Sequence, residues 1–85
     1  MADTEPNRIR VIVADDDANL LKLVSRELLG KGFACEAVSD GAAAVAAMDG
    51  TEFDVALLDI EMPELDGFQV LAVMREKHPE IVPVI

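Results

Sequence analysis

The chain has 85 residues, of which 52% are hydrophobic, and a formal net charge of −10 at pH 7. This hydrophobic fraction excludes an intrinsically disordered chain, and no apolar run approaches the roughly 20 residues of a membrane span. The balance of 7 basic and 17 acidic residues argues against nucleic-acid binding by this segment, because phosphate contacts depend on Lys and Arg.

The N-terminus shows no secretory signal, because a basic region followed by an apolar stretch is missing from it. The single Cys35 lies in an apolar run and is expected to be an inert thiol of a strand, which agrees with a reducing compartment. We therefore expect a cytoplasmic protein with one hydrophobic core and no contact with a membrane.

The polar residues 1–8 predict a flexible tail, since they contain a proline and show no periodicity. Short apolar runs then alternate with stretches that have helical character. The predicted strands cover residues 9–14, 33–38, 53–58 and 81–85.

The three intervening stretches each carry a helix signal. The first has apolar residues at helical spacing, which are Leu20, Leu23, Val24 and Leu28, with Leu21 and Leu29 beside them. The second is the alanine-rich stretch 42–48 after a turn and N-cap at 39–41, and the third begins at Asp66 and ends near His78. The apolar face of the third is formed by Phe68, Val70, Leu71 and Met74.

This β-α-β-α-β-α-β order predicts an α/β protein with right-handed crossovers and a parallel sheet. In such a sheet the strands are buried on both faces, which explains why the runs are continuously apolar.

Two of the apolar runs end abruptly in acidic residues. The first strand is followed by Asp15, Asp16 and Asp17, and the third strand is followed by Asp59. Ligands of parallel sheets bind at the carboxyl ends of the strands, so neighbouring strands would bring these carboxylates together. A hard cation such as Mg²⁺ would relieve their repulsion, and an aspartate beside it can act as a nucleophile toward phosphorus.

The motifs around these acids resemble the receiver domain of bacterial two-component response regulators. The resemblance rests on DDD at 15–17, LLD at 57–59, the loop DIEMPELDG at 59–67 and the run KHPEIVPVI at 77–85. It extends over nearly the whole chain and implies a flavodoxin-like receiver fold.

The resemblance implies a role for each matching residue. Asp59 matches the aspartate that accepts a phosphoryl group from a histidine kinase or phosphotransfer protein. Asp15 and Asp16 match the acidic pair that coordinates Mg²⁺, and Glu61 matches a variable position whose backbone carbonyl ligates the metal. Receiver domains catalyse their own phosphotransfer and dephosphorylation, so we expect a phosphoacceptor rather than an enzyme that acts on other substrates.

The resemblance also implies a fifth β/α unit, which supplies a Ser or Thr at the end of strand four and a Lys at the end of strand five. Neither position lies within the sequence, so residues 9–85 are expected to form a truncated receiver domain, incomplete at its C-terminus. In the family's strand order 2-1-3-4-5, the first and last helices share one face of the sheet. We therefore expect this face to be half bare, and the chain to self-associate, to be completed by another segment or to be poorly stable.

Other interpretations of these residues remain open. The chain could be a receiver-like interaction or dimerisation module that is not phosphorylated, because the Ser or Thr and the Lys are lacking. A phosphatase-type enzyme with an aspartyl nucleophile is a third class, to which the acidic pair fits poorly. Asp17 is expected to be a surface residue at a helix start, and His78 to be solvent-exposed.

Overall fold

The computed structural model describes residues 8–85 and contains a single four-stranded sheet. The elements in chain order are β1 (Arg10–Ala14), α1 (Ala18–Gly30), β2 (Ala34–Val38), α2 (Gly41–Gly50), β3 (Val55–Leu58), α3 (Gly67–Lys77) and β4 (Val82–Val84). All strands are parallel, in the order β2-β1-β3-β4. The predicted α/β class and element order are confirmed, and the strands are one or two residues shorter than predicted.

Three aspartates begin the three helices. The Asp17 carboxylate accepts from the backbone N–H groups of α1, and Asp40 accepts from the N–H of Ala43 at 2.7 Å. Asp66 and Gln69 form a reciprocal capping box at the start of α3. These side chains satisfy donors that a helix leaves without a partner in its first turn.

The hydrophobic core lies between the sheet and the pair α2 and α3. The alanines of α2 bring its backbone close to its neighbours, so this helix contacts β1, β2 and α3 despite its small side chains. The buried residues of this core are Ile12, Ala14, Ala44, Met48, Phe53, Ala56, Leu58, Met62, Val70, Met74 and Ile81.

The opposite face of the sheet carries α1, which packs on β1 and β2. No residue of α1 is fully buried, and Leu20 and Leu23 of its predicted apolar face are exposed. Beyond α1, the side chains of Val82 and Val84 in β4 are also exposed. An apolar groove therefore runs between α1 and the strands β3 and β4 on this face.

Two predictions about side-chain exposure are wrong. Phe68 belongs to the first turn of α3 and is 59% exposed, because only the face with Val70 and Met74 meets the core. The His78 side chain is only 17% exposed, because its Nε2 lies 2.9 Å from Asp49 Oδ1 at the end of α2. The exposure of both side chains therefore depends on how α3 packs against α2, which is distant from it in sequence.

The predicted tail lies almost entirely outside the described residues. Its last residue, Arg8, is described and donates from its guanidinium to the carbonyl oxygens of Gly32 and Phe33, both at 3.3 Å. Within residues 8–85 no helix has the length and apolar character needed to cross a membrane.

Candidate functional site

The carboxylates predicted to share a crevice do lie together. One carboxylate oxygen each from Asp15, Asp16 and Asp59 falls within 4.8 Å of the other two. Asp15 and Asp59 are half-buried, and Asp16 is exposed. Three anionic oxygens at this spacing repel one another, and they form a donor set that suits a hard divalent cation.

The strand pairing is what brings these acids together. β1 and β3 are neighbours in register, with Ala14 opposite Leu58, so both strands end at the same level. The backbone N–H of Asp59 donates to the carbonyl oxygen of Ala14 at 2.9 Å, and the N–H of Asp15 donates to Val38 at 3.1 Å. The backbones of both acids are thereby fixed to the sheet.

The third acid of the DDD run has a different role. Asp17 Oδ1 accepts from the N–H groups of Asn19 at 3.0 Å and Leu20 at 3.2 Å, so it caps α1. The N–H of Asp17 donates to Asp15 Oδ1 at 2.9 Å, which orients that carboxylate. The prediction that Asp17 is a residue of the helix start is confirmed.

The loop from Asp59 to α3 passes very close to the site. A Cβ on Gly67 would lie 2.3 Å from the carbonyl oxygen of Asp59, a distance that real Cβ atoms do not reach. The N–H of Gly67 donates to the carbonyl oxygen of Ile60 at 2.9 Å, which closes the loop. Glycine is required here by this close approach.

The same loop contains a residue in an unfavourable backbone conformation. Glu64 has φ 72°, in the left-handed region that non-glycine residues rarely adopt. Its neighbours hold the turn, since Leu65 packs on the core and contacts Gly41 at the start of α2.

Glu61 lies on the exposed side of the site. It lines a surface pocket together with Asp16, Ile60, Met62 and Asp66. Ile60 and Asp66 were not among the predicted site residues. Their place in the pocket depends on how the loop folds back over the acids, which no local sequence signal shows.

Comparisons with known proteins agree with this geometry. Residues 11–85 match the family described as response regulator receiver domain, and the chain belongs to that family. The transcriptional regulatory protein TcrA of Mycobacterium tuberculosis is 38% identical over 70 residues, which are 82% of this chain and 28% of TcrA.

Solved structures show the same fold. The response regulator protein TrrA of Thermotoga maritima, in complex with Mg(2+)-BeF, superposes with a TM-score of 0.84 at 29% identity. TrrA in complex with the histidine kinase ThkA superposes with a TM-score of 0.82, also at 29% identity. In both cases the match covers 88% of this chain and 65% of TrrA. The chain thus spans about a quarter of TcrA and about two thirds of TrrA.

Proposed function

We propose that this chain is a phosphoacceptor of two-component signal transduction, and that Asp59 accepts the phosphoryl group. The observation that carries the proposal is the convergence of Asp15, Asp16 and Asp59 within 4.8 Å at the carboxyl ends of β1 and β3. Membership of the receiver domain family supports the same role.

The donor set suits Mg²⁺. Asp15, Asp16 and Asp59 would supply carboxylate oxygens, and Glu61 would supply its backbone carbonyl oxygen. A bound Mg²⁺ would neutralise charge on the phosphoryl oxygens during transfer. The binding of Mg(2+)-BeF by the related TrrA supports this assignment.

In the proposed transfer step, Asp59 is the nucleophile and a phosphohistidine is the phosphoryl donor. A carboxylate oxygen of Asp59 forms a bond to phosphorus while the bond from phosphorus to the imidazole nitrogen of a phosphohistidine breaks. The nitrogen keeps the electron pair and takes up a proton. The hydrogen bond from Asp59 N–H to Ala14 holds the nucleophile, because phosphoryl transfer depends on positioning more than on covalent chemistry.

The donor of the phosphoryl group is proposed to be a histidine kinase or phosphotransfer protein. The complex between TrrA and the kinase ThkA supports a partner of this class. We place the reaction in the cytoplasm, and we regard the chain as a phosphoacceptor that acts on itself rather than as an enzyme with external substrates.

Phosphorylation by a small-molecule donor tests the proposal. The chain is incubated with Mg²⁺ and acetyl phosphate and followed by intact mass spectrometry. We expect a mass gain of one phosphoryl group that is lost in Asp59→Asn. Asp54→Asn is the matched control, because Asp54 lies beside the same strand but accepts from the N–H of Arg10 at 2.9 Å instead of facing the acids. No gain in the unchanged chain, or a gain that persists in Asp59→Asn, would contradict the proposal.

A second candidate is an interaction module that is not phosphorylated. The observation that favours it is the groove between α1 and the strands β3 and β4, where Leu20, Val84 and Ile85 are exposed. Covering these side chains by self-association, or by another segment, would remove apolar surface from water. The two candidates differ in the acetyl phosphate experiment, since only the first requires Asp59 to be modified.

A further inference from the structure

A second groove lies on the other side of α1, against the edge strand β2. We call it the β2–α1 groove. Its lining residues are Leu21, Lys22, Ser25, Arg26, Leu29 and Ala37. Its apolar floor and its two cationic residues distinguish it from the acidic site and from the rest of a chain with net charge −10.

The two cations of the groove have no acidic partner among the described residues. Within residues 8–85 neither Lys22 nor Arg26 forms an ion pair, and both are exposed. They stand four residues apart on α1, so like charges face each other on the helix surface and disfavour it slightly. An anionic group placed between them would relieve this repulsion.

The strand beside the groove has an open edge. β2 pairs only with β1 among the described strands. The N–H of Ala34 donates to Ile9 at 2.8 Å, and the carbonyl of Val38 accepts from Asp15 at 3.1 Å. Because a parallel strand directs alternate residues to the same neighbour, the N–H and C=O groups of Cys35 and Ala37 point to the open edge.

Edge and groove together define a binding surface for an extended chain. A strand added to β2 would bond to Cys35 and Ala37, and every second side chain would lie over the groove that Ala37 lines. We propose that this surface binds an extended peptide segment of a partner protein in which apolar and acidic residues alternate on the side that faces α1.

A second copy of this chain fits the surface less well. Two β2 edges paired about a two-fold axis at Glu36 would place the two Glu36 side chains opposite each other, and like charges at that position are unfavourable. Each copy would also bring a net charge of −10. The acidic peptide, in contrast, would place its carboxylates beside Lys22 and Arg26.

A synthetic peptide tests the proposal. The probe is a capped eight-residue peptide. Its odd positions are alternately valine and aspartate, and its even positions are all threonine. The peptide is titrated into the 15N-labelled chain, and the amide chemical shifts are followed by NMR. We expect the largest amide shift changes at Cys35 and Ala37, and binding that weakens as salt increases. Exchange of the peptide aspartates for lysine is expected to abolish the changes.

Variants of the chain separate the contributions of charge and strand edge. Lys22→Glu combined with Arg26→Glu is expected to weaken binding about ten-fold or more, because two attractions become repulsions. The matched control combines Arg75→Glu and Lys77→Glu at the end of α3. We expect it to change the Kd for the peptide less than about two-fold. Ala37→Pro removes an N–H that no described residue accepts, so it should weaken binding while the circular dichroism spectrum stays unchanged.

Three outcomes would overturn the proposal. The first is an absence of shift changes at Cys35 and Ala37 with millimolar peptide. The second is equal binding of the lysine peptide. The third is a change at these amides that depends on protein concentration without peptide, which would identify a second copy as the occupant.

Discussion

The backbone N–H of Asp59 donates to the carbonyl oxygen of Ala14 at 2.9 Å, which ties the residue after β3 to the last residue of β1. This one bond places the proposed nucleophile directly beside the acidic pair that follows β1. Hydrogen bonds of the sheet therefore hold the backbone of the site, and the register of β1 and β3 determines its geometry.

Removing one acid of the pair should weaken Mg²⁺ binding. Asp16→Asn removes an anionic oxygen from the cluster and is expected to raise the Kd for Mg²⁺ about ten-fold or more. Asp17→Asn is the matched control, because asparagine caps a helix as well as aspartate and Asp17 is committed to α1. Calorimetry is suitable, since the chain has no Trp or Tyr to report binding. Equal losses in the two variants would contradict the assignment.

The charge of Glu61 should contribute to metal attraction from the edge of the site. Glu61→Ala keeps the backbone carbonyl and is expected to raise the Kd for Mg²⁺ about two- to five-fold at low salt, less at high salt. Glu52→Ala removes the same charge away from the acids and is expected to leave the Kd unchanged. A metal titration of Glu61→Ala that shows no change would count against this role.

Gly67 should be far more sensitive to substitution than Gly50, the last residue of α2. The added Cβ in Gly67→Ala would collide with the Asp59 carbonyl oxygen, so we expect a loss of about 2 kcal/mol or more in the free energy of unfolding. Gly50→Ala is the control, because its Cβ meets no atom within 4 Å and alanine favours the helix. Urea denaturation measures both, and similar stabilities for the two variants would refute the close approach.

Relief of the backbone strain at Glu64 should stabilise the chain. Glu64→Gly removes the side chain from a residue with φ 72° and is expected to raise the free energy of unfolding by about 0.5–1 kcal/mol. Glu76→Gly, at an exposed position inside α3, should lower the free energy of unfolding by about 1 kcal/mol, since glycine disfavours a helix. Thermal unfolding followed by circular dichroism compares them. A lower melting temperature for Glu64→Gly would show that its side chain stabilises the loop.

The groove between α1 and β4 should make the chain associate. With Leu20, Val84 and Ile85 exposed in this groove, we expect species larger than a monomer in light scattering at high protein concentration. Leu20→Lys should reduce the association, whereas Phe68→Lys, at an exposed position of α3 that does not line the groove, should not. A monodisperse and stable monomer would refute this prediction.

The sequence by itself determined the order of the elements, the parallel sheet and the three acids that the structure brings together. Continuous apolar runs mark buried parallel strands, and acids directly after two of them predict a cluster of carboxylates at one edge of the sheet, so Asp15, Asp16 and Asp59 could be singled out before the fold was known. Helix starts were also visible, because Asp40 and Asp66 are residues whose side chains cap the chain locally.

Only the tertiary structure decided what depends on distant partners. Helical spacing alone cannot tell that Phe68 faces solvent, or that His78 meets Asp49, because both outcomes follow from the way α3 packs beside α2. The tight contact between Gly67 and Asp59 likewise exists only once the loop folds over the end of β3. The sequence pattern of a segment predicts which of its residues are buried. The contacts between two elements depend on how they pack together, which the sequence of one segment does not specify.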